Sequence, residues 1–172
     1  MFSFASLMNK ICSFPVILFW MVILASCSTT TTESFDSVKQ AKTDDEALQA
    51  WFKARNLTDS VTKTASGLYF RITKTNSVSP KIVNGNKVYV RYEGRLLNDT
   101  LFDNNLLTSS AFRFIPGNGS VIRAWEEGIL KFGKDEEGYI YAPSGLGYGN
   151  NAQRKIPPNS CLRFFIRVTN VE

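Results

Sequence analysis

Two places in this chain combine residue types that chemistry could use. From Gly117 to Gly128 it reads G-N-G-S-V-I-R-A-W-E-E-G, a glycine-rich turn set against an apolar and aromatic segment with acids behind it. At Gly147-Tyr148-Gly149 a phenol stands between two glycines, which let its ring reach over a site rather than pack. None of the 172 residues is a histidine. That removes Ser-His-Asp and Cys-His nucleophilic catalysis and the commonest metal ligand. Of the three cysteines, Cys12 and Cys27 lie near the N-terminus and only Cys161 lies in the region expected to fold. No cysteine metal site or disulfide framework can be built from them. No metal and no cofactor is expected. The stock that remains, 13 phenylalanines and 3 tryptophans, suits an apolar, water-poor pocket.

A sheet and a helix must hold such a pocket. Val121, Ile122, Trp125 and Ile129 share one face at helical spacing, which predicts a short core helix with Ser120 near its start. Gly67 to Lys74 alternates Leu68, Phe70 and Ile72 with polar partners, and Lys87 to Leu97 alternates Val88, Val90 and Tyr92. Gly94 marks a bulge or bend. Ala111 to Ile115, Gly138 to Ala142 and the long run Cys161 to Val171 are further strands. The fold class is α+β, an antiparallel sheet of about five strands wrapped over one short helix. The loop Pro143 to Ser160 is long for a compact domain and is the expected rim of a binding site.

Ahead of this domain the chain changes character. Lys10 precedes the apolar run Ile11 to Ala25, shorter than a spanning helix needs, in the order of a secretory signal. Met8 makes a more ordinary signal start than Met1. Leu24-Ala25-Ser26-Cys27 resembles a bacterial lipobox, with Cys27 as the lipidated residue. This predicts residues 1–26 as a lipoprotein signal peptide, 27–42 as lipidated cysteine and flexible tether, 43–57 as an amphipathic helix and 58–172 as the main domain. Thr43 and Glu46 are spaced as a capping box, and Leu48, Trp51 and Phe52 form the helix's apolar stripe. Two readings of that stripe stand open. It packs on the domain, or it forms a homodimer or client-holding surface. The net charge of +5 is modest and its Lys and Arg are scattered, so nucleic acid is not an expected partner.

The company around Trp125 narrows the function. V-R-Y-E-G at 90–94, L-F-D at 101–103, F-R-F at 112–114, V-I-x-x-W-E-E-G from Val121, L-G-Y-G at 146–149 and I-P-P-N-S at 156–160 occur in one order. Together they resemble the FKBP-type peptidyl-prolyl cis-trans isomerases, from about Gly67 to the C-terminus. The entry T-A-S-G-L-Y at 64–69 favours the bacterial secreted branch, and the lipobox, tether and leading helix resemble the gliding-motility-associated lipoprotein isomerases.

The resemblance implies a fold, an activity and a site. The pocket would comprise Tyr92, Phe102, Phe112, Val121, Ile122, Trp125, Ile156 and Phe164, with Trp125 as its floor under the proline ring. The Tyr148 hydroxyl and the Ile122 backbone N–H would bond substrate carbonyls, and Asp103 would sit beside the twisting amide. Taken by itself, Asp103 between Phe102 and Asn104 could equally cap a turn. The implied clients are proline-containing exported proteins, met at a lipid-anchored envelope location, with the outer membrane favoured. A non-catalytic chaperone or binding module with the same fold is the competing reading. Ser120, Ala124, Thr108 and the tip Gln153 to Lys155 depart from the family pattern. Macrolide binding and substrate preference draw on that rim and do not carry over with the resemblance.

Overall fold

The alternation of Leu162, Phe164, Ile166 and Val168 with Arg163, Phe165 and Arg167 builds the strand at the centre of the sheet, β7 (Leu162–Val171). Its first set is buried in the main core, whereas Phe165 faces the other side. The computed structural model describes residues 32–172. The signal peptide read at 1–26 and Cys27 lie outside them. Among the described residues no helix is long and apolar enough to cross a membrane.

Seven strands form one antiparallel sheet. Besides β7 they are β1 (Thr62–Lys63), β2 (Tyr69–Lys74), β3 (Val88–Leu96), β4 (Leu101–Asn104), β5 (Phe112–Phe114) and β6 (Glu137–Ala142). The order is β1-β2-β6-β7-β3-β4, with β5 also pairing β3. The α+β class and the sheet wrapped over a short helix are as expected. The strands beyond the expected five are short, and two residues such as Thr62 and Lys63 offer no alternation to read. The bend expected at Gly94 is present, because the β3–β4 register shifts between Gly94 and Arg95. A Cβ at Gly94 would lie 2.5 Å from the Phe102 ring, so only glycine lets that ring cross the strand.

Helix α2 (Arg123–Gly128) crosses the concave face, and a 3-10 turn, Ile129–Lys131, continues it. Its start differs from the expectation. Val121 and Ile122 precede the helix, with Ile122 as the capping residue in extended backbone. A helix of under two turns is too short for periodicity to locate its first residue.

Helix α1 (Thr32–Ala54) covers the outer face of the sheet. Leu48 and Phe52 are fully buried against Tyr69, Tyr141 and Cys161. The Trp51 indole N–H donates to the Leu97 carbonyl at 2.8 Å, and the Arg55 guanidinium lies 4.0 Å from the Trp51 ring centre. The stripe therefore packs on the domain. The helix begins well before Thr43, so the capping box and the full length of the 27–42 tether are corrected. Thr43 is interior, its hydroxyl bonded back to the Lys39 carbonyl at 3.1 Å. Extending a helix outward from a docked segment needs no new nucleus, and Lys39 to Lys42 are compatible with it. Cys161 is the small buried residue expected. Burial first, and the nearby Asp44 charge second, push its thiol up to about 12.

Candidate active site

Trp125 needs somewhere to put a large ring, and α2 delivers it to the centre of an aromatic box. It meets Tyr92 at 4.9 Å and 88°, Phe164 at 5.4 Å and 90°, and Phe112 at 5.8 Å and 82°. Edge-to-face rings of this kind favour each other electrostatically and hold fixed angles. Phe102 stands on Phe164 at 5.6 Å and 85°, extending one wall. Above Trp125 the box stays open as a cavity of about 450 Å³. Its lining includes Phe102, Asp103, Phe112, Val121, Ile122, Tyr148 and Phe164.

Polar groups are few and converge on the mouth. The Tyr92 hydroxyl donates to Asp103 Oδ2 at 2.6 Å. Burial, then the bond to Asp103 and its charge, raise the Tyr92 pKa far above its ordinary value. Tyr148 is half-buried, and burial followed by the Asp103 charge raises its pKa too. Both phenols therefore stay protonated at neutral pH and can donate. The Ile122 carbonyl accepts the N–H of Trp125 at 2.8 Å and of Glu126 at 3.1 Å, which starts α2. Among the described residues no hydrogen bond engages the Ile122 N–H, and Ile122 lines the cavity.

All the residues expected at the site line this cavity except Ile156. That side chain is buried in the main core, and its backbone closes a turn with Gln153 through two bonds of 2.9 Å. Other contributors went unread. Phe114 is buried and supports Trp125 at 5.5 Å while stacking under Phe112 at 24°. The F-R-F alternation was the available signal for it. Glu126 accepts the Gly117 N–H through Oε2 and ties down the loop that brings Val121 to the mouth. At Thr108, where the family pattern often has an arginine, the loop is organised by Arg91, which donates to Asn105, Thr108, Ser109 and Ser110.

A larger cleft of about 870 Å³ lies between α1 and the 143–149 turn. Its lining residues include Lys39, Gln40, Arg123 and Asn150 and no aromatic ring. The smaller, aromatic cavity with its converging donors is the better candidate, since small-ligand sites combine apolar walls with a few placed polar groups. Among the described residues no cluster of acids or cysteines could hold a metal ion.

Comparison with known proteins gives a consistent result. The family model described as FKBP-type peptidyl-prolyl cis-trans isomerase matches residues 79–169. Over 97 residues the chain is 36% identical to the peptidyl-prolyl cis-trans isomerase Fkbp12 of Drosophila melanogaster, covering 56% of this chain and 88% of that one. It is 33% identical over 132 residues to a probable FKBP-type isomerase, FkpA, of Neisseria meningitidis, covering 76% of this chain and 47% of the other. The crystal structure of FkpA from Escherichia coli superimposes with a TM-score of 0.64 at 25% identity, over 81% of this chain and 65% of that one. The chain spans less than half the length of the first curated relatives it matches.

Proposed function

The chain belongs to the FKBP-type peptidyl-prolyl cis-trans isomerase family, and from that premise we propose that it accelerates rotation about X-Pro bonds in exported proteins. The barrier to that rotation, roughly 18–20 kcal/mol, comes from the resonance that keeps the amide planar. The twisted transition state has lost this resonance and is less dipolar than the planar amide, so an apolar site favours it. The observation that carries the reading is the open aromatic box over Trp125, with the Tyr92–Asp103 bond of 2.6 Å at its mouth.

In this reading the proline ring sits on Trp125 between Tyr92, Phe112 and Phe164. The Tyr148 hydroxyl and the Ile122 N–H bond the carbonyls flanking it and hold the peptide while one amide turns. Asp103, oriented by Tyr92, lies beside that amide. No group gives up a proton, and both phenols remain donors across the neutral range. A protease-coupled isomerisation assay on the purified full-length chain tests this. Acceleration that falls in Asp103→Ala and Tyr148→Phe, with the fold intact, supports it. A folded wild type that matches the thermal rate, across several residues before proline, favours the binding module instead.

The cellular setting is part of the proposal. The apolar run after Lys10 and the sequence Leu24-Ala25-Ser26-Cys27 support export and lipid anchoring at Cys27, on the periplasmic face of an envelope membrane. Labelled palmitate should enter the wild type and not Cys27→Ala. Equal incorporation would remove the anchor.

A further inference from the structure

A buried carboxylate on α1 reaches the turn that carries Tyr148. Asp44 is 2% exposed and Ser144 is 1% exposed, and they meet across the seam between helix and domain. Asp44 Oδ2 accepts the Ser144 backbone N–H at 2.7 Å and its hydroxyl at 2.6 Å. Asp44 Oδ1 accepts the Gln40 amide at 2.7 Å, so both oxygens are engaged. Burying a carboxylate is costly even when it is satisfied, and an apolar residue would usually serve adhesion better. Adhesion of α1 is already supplied by Leu48 and Phe52. What the carboxylate adds is direction, because charge-assisted bonds fix where Ser144 sits.

Ser144 passes that position on. Its carbonyl accepts the N–H of Gly147 and the N–H of Gly149, both at 2.9 Å. These are the two residues that bracket Tyr148. Leu146 anchors the turn in the main core and Tyr148 packs against that core, but a Cβ at Gly145 or Gly149 would meet no heavy atom within 4 Å, so packing leaves those two positions unguided. Its other backbone ties run from Leu146 N–H to Pro143, Asn151 N–H to Tyr148 and Asn159 N–H to Gly149. The bonds through Ser144 connect this turn directly to the helix.

We propose that Asp44 is a positioning residue for the isomerase site, holding the Tyr148 hydroxyl over the proline cavity through Ser144, so that α1 belongs to the active-site machinery. This rests on the reading that Tyr148 binds substrate. The test is a double-mutant cycle in the full-length chain, with kcat/KM as the readout. Asp44→Ala should lower kcat/KM by about five-fold, the scale of one mis-set hydrogen bond. Ser144→Ala keeps its N–H bond and should lose less. In the Tyr148→Phe background both losses should vanish, because the group they position is gone. Losses that multiply with Tyr148→Phe, or full activity in both single variants, overturn the proposal. If Asp44→Ala does not fold, Ser144→Ala carries the cycle alone. Fluorotyrosine labelling, with the Tyr148 resonance assigned by Tyr148→Phe, separates this proposal from the catalytic one. A 19F line that shifts or broadens in Asp44→Ala or Ser144→Ala supports the positioning even if the wild type accelerates nothing. An unchanged line overturns it.

Discussion

The sheet carries an aromatic cluster on each face, and the two have opposite fates. On the outer face Trp51, Phe52, Tyr69 and Tyr141 meet at ring separations of 4.8–5.9 Å, and α1 presses its side chains into the space between them. On the concave face Trp125, Tyr92, Phe112 and Phe164 are spaced much the same, yet a cavity of about 450 Å³ remains above Trp125. The difference lies in the covering element. Helix α1 runs for 23 residues and brings Leu48, Trp51 and Phe52 down on one stripe, whereas α2 has 6 residues and delivers Trp125 alone to the centre. Similar ring geometry thus makes a core where a long helix closes it and a binding site where a short one does not.

Substitutions that exchange these characters should read out in different quantities. The largest effect is expected at Phe52→Ala, which empties a fully buried ring site. Urea unfolding should show a loss of about 3–5 kcal/mol. A loss below about 1 kcal/mol would mean that α1 is not a working part of the fold. Gly94→Ala comes next. Its new Cβ would stand 2.5 Å from the Phe102 ring, and overpacking of this kind costs about 1–3 kcal/mol. Because Phe102 also walls the open cavity, KM for a proline peptide should rise as well, which no filled-core substitution of equal cost should do.

Tyr148→Phe should reverse the pattern. Stability should stay within about 0.5 kcal/mol, while kcat/KM falls by about five-fold for one lost donor. A destabilised but fully active variant would place Tyr148 among structural residues. The smallest effect concerns alkali. Burial pushes Tyr141 up to about 12 from an ordinary 10.0. Between those values the folded state holds a proton that the unfolded state has released, so this contribution is present below pH 10 and is lost as pH rises toward 12. The fall in urea midpoint between pH 9 and pH 11.5 should be shallower in Tyr141→Phe than in wild type.

Much was legible before any fold was known. Alternation at Val88, Val90 and Tyr92 and from Leu162 to Val168 places strands with a buried face, because residues two apart on a strand share a side. The order of short motifs around Trp125 carried the resemblance that implied the pocket walls, and every one of those motifs except I-P-P-N-S brings an aromatic residue of its own. The absence of histidine removed whole classes of catalysis. What only the tertiary structure decided involves partners far apart in the chain. The bond between Asp44 and Ser144 joins positions 100 apart, and no local pattern marks an aspartate in a polar helix as buried. Ile156 carries the family's motif and is buried in the same core cluster as Trp125 and Phe164, while its backbone closes a turn with Gln153 that no local pattern announced. The stripe at Trp51 and Phe52 meets the rings of Tyr69 and Tyr141, on strands 17 or more residues away, which periodicity within the helix could not name. Periodicity states which side of an element is apolar. What meets that side is set by how the whole chain closes on itself.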